Sequence, residues 1–214
     1  MAEGTGEAEA GLLIDIGPQL RARRRAAGVV DEAVLAAAKA GDPHAWAQLY
    51  RWLAGPVRGY LAGRGAVALD DLTGEVFVQL SRGIHRFEGD LAQFRSWVFM
   101  VAHNRLLDER RRQRRERSDP TAPEDIEEPS GGGGNVELEA LTALGEAAIR
   151  TMLAPLTDDQ RTVLLLRFVA DLSLEDVAKA MVKPVGAIKQ LQLRALRSLQ
   201  RRQVGDGVTD LPAG

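Results

Sequence analysis

Residues 94–134 read FRSWVFMVAHNRLLDERRRQRRERSDPTAPEDIEEPSGGGG: aromatics give way to an arginine run, the run to acids, and the acids to four glycines. Phe94, Trp97, Val98, Val101 and Ala102 stand at i, i+3, i+4, i+7 and i+8, which predicts a helix from about Leu91 to Arg117 with one buried stripe. Between Arg105 and Arg117 seven arginines stand against Asp108, Glu109 and Glu116, whereas Ser118 to Leu141 holds seven acids and no base. Pro120, Pro123, Pro129 and Gly131 to Gly134 leave residues 118–136 little to bury, so this stretch reads as a flexible acidic linker between two domains.

Upstream, the pattern is helical throughout. Asp31 can cap a helix to about Ala40, and Gly41-Asp42-Pro43 ends it and starts another over His44 to Leu61, with Trp46, Leu49, Tyr50 and Leu53 at helical spacing. Asp70 to Ser81 forms a third, followed by a loop holding Gly83 and Gly89. Residues 30–117 are therefore expected to be a four-helix domain. Residues 1–29 show no sustained period and read as a disordered extension.

Downstream of the linker, residues 137–202 are expected to form a second helical domain, with residues 203–214 as a tail. Thr157-Asp158-Asp159-Gln160 has capping-box spacing before RTVLLLRFV, and Ser173-Leu174-Glu175-Asp176 opens another helix in the same way. Lys183-Pro184 interrupts, with Pro184 suited to a first helical position, and the final helix runs to about Arg202. The last two helices make a helix-turn-helix candidate. The predicted class is all-α, in two small domains.

The whole-chain charge of -2 hides this polarity, because Lys183 to Arg202 adds a second patch of six bases and no acid. The absence of cysteine excludes a disulfide framework, a thiolate zinc site and a cysteine nucleophile, and is expected of a reducing compartment. No apolar run approaches the roughly 20 residues of a membrane span, and acids stand where a signal peptide would be basic. A cytoplasmic protein is expected. His44, His85 and His103 are too scattered for a helical metal site, and no catalytic motif is present, so neither catalysis, cofactor nor metal is predicted.

In the final helix Ile188, Leu191, Ala195 and Leu199 should face the core, leaving Val185, Lys189, Gln190, Leu193, Arg194 and Arg197 outside. Those side chains suit a major groove: Lys and Arg for guanine edges or phosphates, Gln for adenine, Leu for a thymine methyl. The plainer reading is a solvated basic face. On the helix after Leu91, Ser96, Phe99, Met100, His103 and Asn104 lie away from the Phe94/Trp97/Val101 stripe. With the neighbouring arginines they could hold single-stranded nucleic acid by stacking, edge recognition and charge; alternatively Phe99 and Met100 pack on a neighbouring helix.

The strings GDPHAWAQLY, LDDLTGEVFVQL, FRSWVFMVAHNRLLDERRRQRRER and LTDDQRTVLLLRFVADLSLEDVAKAM…VGAIKQLQLRALRSL, in this order, resemble the extracytoplasmic-function group of bacterial RNA polymerase sigma factors over about residues 30–202. The resemblance implies a non-enzymatic factor that binds core RNA polymerase, on its clamp coiled coil and flap, and promoter DNA. It also implies an anti-sigma factor as partner and no membrane or small-molecule ligand. It implies polymerase docking by Asp71, Leu72, Glu75, Val78 and Gln79. Opening of the minus-ten element maps onto Arg82, Arg86, Phe87, Arg95, Trp97, His103, Asn104, Asp108, Arg111 and Arg112. The minus-thirty-five element falls to Val185, Gly186, Lys189, Gln190, Leu193, Arg194 and Arg197, and the acidic linker would pass through the polymerase near the RNA exit path.

The chain departs from the group's pattern at Gly74 (usually glutamine), Thr157 (often proline), Val182 (usually the turn glycine) and Ala187 (commonly threonine). Two other classes fit the residues less completely. An operator-binding regulator would not need the aromatic helix with Asn104. A sigma-like adaptor that titrates polymerase or an inhibitor would keep the fold without starting transcription.

Overall fold

The computed structural model describes residues 30–118 and 147–206. The expected extension 1–29, residues 119–136 of the expected linker, residues 137–146 of the expected second domain and residues 207–214 of the expected tail lie outside the described residues. Among those described there is no strand.

Helix α1 (Glu32–Lys39) begins where the Asp31 carboxylate accepts from Val34 N at 3.0 Å. Gly41, at φ +94°, turns the chain into α2 (Pro43–Gly63), where Asp42 accepts from His44 N at 2.7 Å and Pro43 occupies the first turn. After α3 (Leu69–Gly83) comes a 3-10 turn, Ile84–Arg86. Helix α4 (Leu91–Ser118) then starts from a reciprocal cap: Gln93 N donates to Asp90 Oδ1 at 2.7 Å and Asp90 N donates to Gln93 Oε1 at 3.0 Å. Leu91 N also donates to Glu32 Oε1 at 2.8 Å, tying α4 to α1.

The expected stripe of α4 is inside: Phe94, Val98, Val101 and Ala102 are buried and Trp97 is half-buried. The buried arc is wider than one stripe, because Phe99, His103 and Leu106 are buried as well. Phe99 meets Tyr60 of α2 edge-on at 6.0 Å, so the packing alternative holds for that residue.

The second module begins with α5 (147–153). Thr157 and Gln160 form the expected capping box at the start of α6 (Asp158–Leu164). The helix then widens into a π turn, Leu165–Val169, that no sequence pattern announced. Helix α7 (Leu174–Met181) is capped by Ser173 Oγ, which accepts from Asp176 N at 3.0 Å. Helix α8 (Val185–Asp206) follows, with Pro184 one position before its first residue. α6 and α7 both pack on α8.

The turn between α7 and α8 keeps its form despite the valine. Val182 sits at φ +53°, is 90% exposed, and ends α7 in a Schellman pattern, with Lys183 N donating to Ala178 O at 3.0 Å and Val182 N to Lys179 O at 3.2 Å. A β-branched residue there is strained, since its Cβ crowds the backbone.

The two modules touch. α2 packs on the π turn and α4 on α7, and their buried apolar residues form one continuous core. At Gly63, a Cβ would lie 2.8 Å from Leu165 Cδ2, so glycine is what lets these backbones approach so closely.

Candidate nucleic-acid interface

Helix α8 separates its two sides cleanly. Ile188, Ala195, Leu196 and Leu199 are buried, whereas Gly186, Lys189, Gln190, Arg194 and Arg197 are exposed and Val185 and Leu193 are half-buried at the margin. The sequence-predicted groove-reading residues thus share one surface. No neighbour lies within 4 Å of a Cβ at Gly186, so packing does not demand a glycine there. Arg194, Arg197, Ser198 and Arg201 also line an open groove of about 550 Å³ completed by Gln160 of α6. Gln160 and Arg201 were not among the expected contacts. Gln160 showed in the sequence only as a cap, and Arg201 only as one cation of a basic tail.

On the first module the predicted residues divide. Arg82, Arg86, Asn104, Asp108, Arg111 and Arg112 are exposed. Asp108 pairs with Arg111 at 2.9 Å, both exposed and screened by solvent, whereas exposed Arg112 reaches the largely covered Glu109 at 3.0 Å. Phe87 and Trp97 are stacked on each other, with centroids 5.4 Å apart and planes 16° from parallel, and Lys39 Nζ stands 5.9 Å from the Phe87 centroid. The loop before α4 is anchored by this stack, with Gly83 against Trp97: a Cβ there would lie 3.0 Å from Trp97 Cη2.

Arg95 and His103 are placed differently from the others. Arg95 is 6% exposed, donates to the carbonyls of Val169 (3.3 Å) and Ala170, and lies over the Trp52 and Phe99 rings. His103 is also 6% exposed and is hydrogen-bonded to Tyr60, with 2.7 Å between Oη and Nδ1. Burial, helped by the Arg64 and Arg110 charges, lowers the His103 pKa to about 4, and burial raises that of Tyr60. At neutral pH the phenol and the imidazole are therefore both neutral and share one hydrogen bond. Interior position, not charge, defines His103 in this arrangement.

The residues implied in polymerase docking lie along α3. Asp71, Glu75, Val78 and Gln79 are exposed and Leu72 is buried beneath them. Between α3 and α4 is an open groove of about 730 Å³ that brings Asp71, Glu75 and Val78 opposite Arg105, Asp108 and Arg112. Arg105 bridges its walls, to Gln79 at 2.9 Å and Glu75 at 3.6 Å. A Cβ at Gly74 would meet nothing within 4 Å, so the absence of a side chain there does not alter the core. Among the described residues no group of three or more His, Asp or Glu could hold a metal ion, and no helix is long and apolar enough to cross a membrane.

Comparison with known proteins follows this division. The model of Sigma-70 region 2 matches residues 45–116, and that of Sigma-70 region 4 matches residues 152–201. The chain is 32% identical over 166 residues to the ECF RNA polymerase sigma factor BldN of Streptomyces coelicolor, spanning 77% of this chain and 62% of that protein. It is 32% identical over 138 residues to the RNA polymerase sigma-H factor of Pseudomonas aeruginosa, spanning 61% of this chain and 70% of that one. In fold it resembles the sigma factor RpoE of Bartonella quintana, solved with the anti-sigma factor NepR, with a TM-score of 0.52 and 22% identity over 72% of this chain and 94% of that one. With both regions present in order, each carrying one of the two cationic faces, the chain belongs to the extracytoplasmic-function group of bacterial RNA polymerase sigma factors.

Proposed function

We propose that the chain initiates transcription by binding core RNA polymerase through the exposed face of α3 and reading promoter DNA with its two modules. The exposed face of α8 takes the minus-thirty-five duplex, Lys189, Gln190, Arg194 and Arg197 meeting base edges and phosphates. Arg82, Arg86, Asn104, Arg111 and Arg112 take the opened minus-ten region, where cations follow the backbone and the amide meets a base edge. The units that act are residues 30–117 and 137–202. The protein works in the cytoplasm and catalyses no reaction itself. The RpoE–NepR complex supports an inhibitory protein as a further partner of this chain.

The observation that carries this reading is the presence of two separate cationic faces, one in each matched region. Purified protein added to core polymerase should yield defined run-off transcripts from genomic templates. Sequence-specific DNA binding with no transcript on any template would instead identify an operator-binding regulator. Polymerase binding without transcripts would identify an adaptor.

A further inference from the structure

Helix α1 (Glu32–Lys39) lies outside the stretch that matches Sigma-70 region 2, residues 45–116, yet it is tied to the loop on which minus-ten recognition depends. Residues 84–90 join α3 to α4, and α1 packs on the 3-10 turn that begins this join. At the other end of the loop Glu32 Oε1 accepts from Leu91 N at 2.8 Å, satisfying one of the amides that the first turn of α4 leaves open. Between these points Lys39 Nζ stands 5.9 Å from the centroid of Phe87. One short helix thus reaches the loop along its whole length.

Phe87 is held from several sides. Its ring stacks on Trp97 and meets Phe94 edge-on, with 5.4 Å between centroids in both pairs. The chain beyond it turns at Gly89, φ +140°, where a Cβ would stand 3.1 Å from Phe87 Cζ. Phe94 is buried, but Phe87 and Trp97 are only half-buried, so part of the stack stays open to solvent.

Lys39 is the only cation of α1, and among the described residues it makes no ion pair. The last turn of a helix favours a cation by itself, which would account for a lysine directed into water. It does not account for one brought over a ring beside a half-open aromatic stack. Rings that can carry a base, next to a cation that can meet the accompanying phosphate, are the pair of groups that single-stranded nucleic acid requires.

We infer that α1 belongs to the minus-ten site: Lys39 contacts the phosphate of the nucleotide held against Phe87 and Trp97, and Glu32 is a positioning residue that fixes the end of the loop carrying Phe87. The inference rests on the sigma reading and adds to it a contact and a brace from outside the matched region.

Holoenzyme assembled from the full chain and core polymerase can be titrated with forked minus-ten DNA in which each phosphate of the single strand is replaced in turn by a neutral methylphosphonate. Lys39→Gln should weaken binding to unmodified DNA about 3-fold, as expected for one exposed cation–phosphate contact. At one methylphosphonate position the same variant should lose nothing further, because the anion it would have met is gone. Lys39→Arg should restore the parent affinity. Undiminished binding by Lys39→Gln, or an equal loss for parent and variant at every methylphosphonate position, overturns the contact. Glu32→Ala should slow opening of the minus-ten region about 3-fold, read with a fluorescent base analogue, while minus-thirty-five duplex binding stays at the parent value. Glu32→Gln, which keeps an acceptor for Leu91 N, should open at the parent rate. Parent-like opening by Glu32→Ala, or an equal loss in duplex binding, overturns the positioning role. If the unmodified chain gives no core-dependent transcript, the sigma reading fails, and binding of the same modified strands by the free chain still decides Lys39.

Discussion

Helices α8 and α4 both carry predicted nucleic-acid contacts, but they present them differently. α8 packs against α6 and α7 of its own module, and its expected contacts lie at the surface or its margin. α4 packs on α3 and α2 and also meets the other module, and two of its expected contacts are buried: His103 against Tyr60 of α2, and Arg95 against the carbonyls of residues 169 and 170. A helix with neighbours in a single module shows which side is inside through its apolar period. A helix enclosed on more than one side does not, because Arg95 is buried against backbone carbonyls and His103 against a phenol, contacts that leave no apolar mark.

The largest test of this contrast is Phe99→Ala. If the second side of α4 is interior, loss of the ring should destabilise the protein by about 3–5 kcal/mol, whereas Asn104→Ala on the exposed side should change stability by no more than about 0.5 kcal/mol. Denaturant unfolding measures both; similar small losses would place Phe99 at the surface.

Next in size is a pH effect. His103 has a folded pKa of about 4 against an ordinary value of 6.5. Above pH 6.5 the ring is neutral in both states, but below it the unfolded chain takes up a proton that the folded one refuses. Stability should therefore fall between about pH 6.5 and 4, by at most about 3 kcal/mol. His103→Gln should flatten that difference, and an identical pH profile for the two proteins would put the imidazole in solvent.

At α8 the sign of the comparison reverses. Arg194→Ala should weaken minus-thirty-five duplex binding by roughly 1–3 kcal/mol if it meets a base, while leaving the unfolding midpoint in place. Unchanged base preference would remove it from the reading surface.

The smallest effect belongs to the turn before α8. Val182→Gly should stabilise the chain by about 1 kcal/mol by relieving the left-handed valine, detected as a higher melting temperature with unaltered DNA specificity. A lower melting temperature would mean that the valine side chain makes contacts worth more than its strain.

The helix starts were legible because their caps are local: Asp31, Asp42 with Pro43, Thr157 with Gln160, and Ser173 each act within three residues. The reciprocal Asp90–Gln93 cap is equally local, spanning three residues. The π turn was not legible, since LLLRFV is as apolar as an ordinary buried helix. Nor was the contact between the modules, which joins Arg64 to a residue 94 positions away and Arg95 to backbone carbonyls, a bond no side-chain pattern records. Gly59 and Gly63, four apart on α2, were the available hint of a close approach. The exposed face of α8 was readable because, among the described residues, its cations stay open to solvent.

That exposed face carries a consequence for ionic strength. Lys189, Arg194 and Arg197 stand in water with no rearrangement needed to meet a polyanion. Any attraction they exert on a duplex should fade steeply as salt rises, because each cation that meets a phosphate releases condensed counterions.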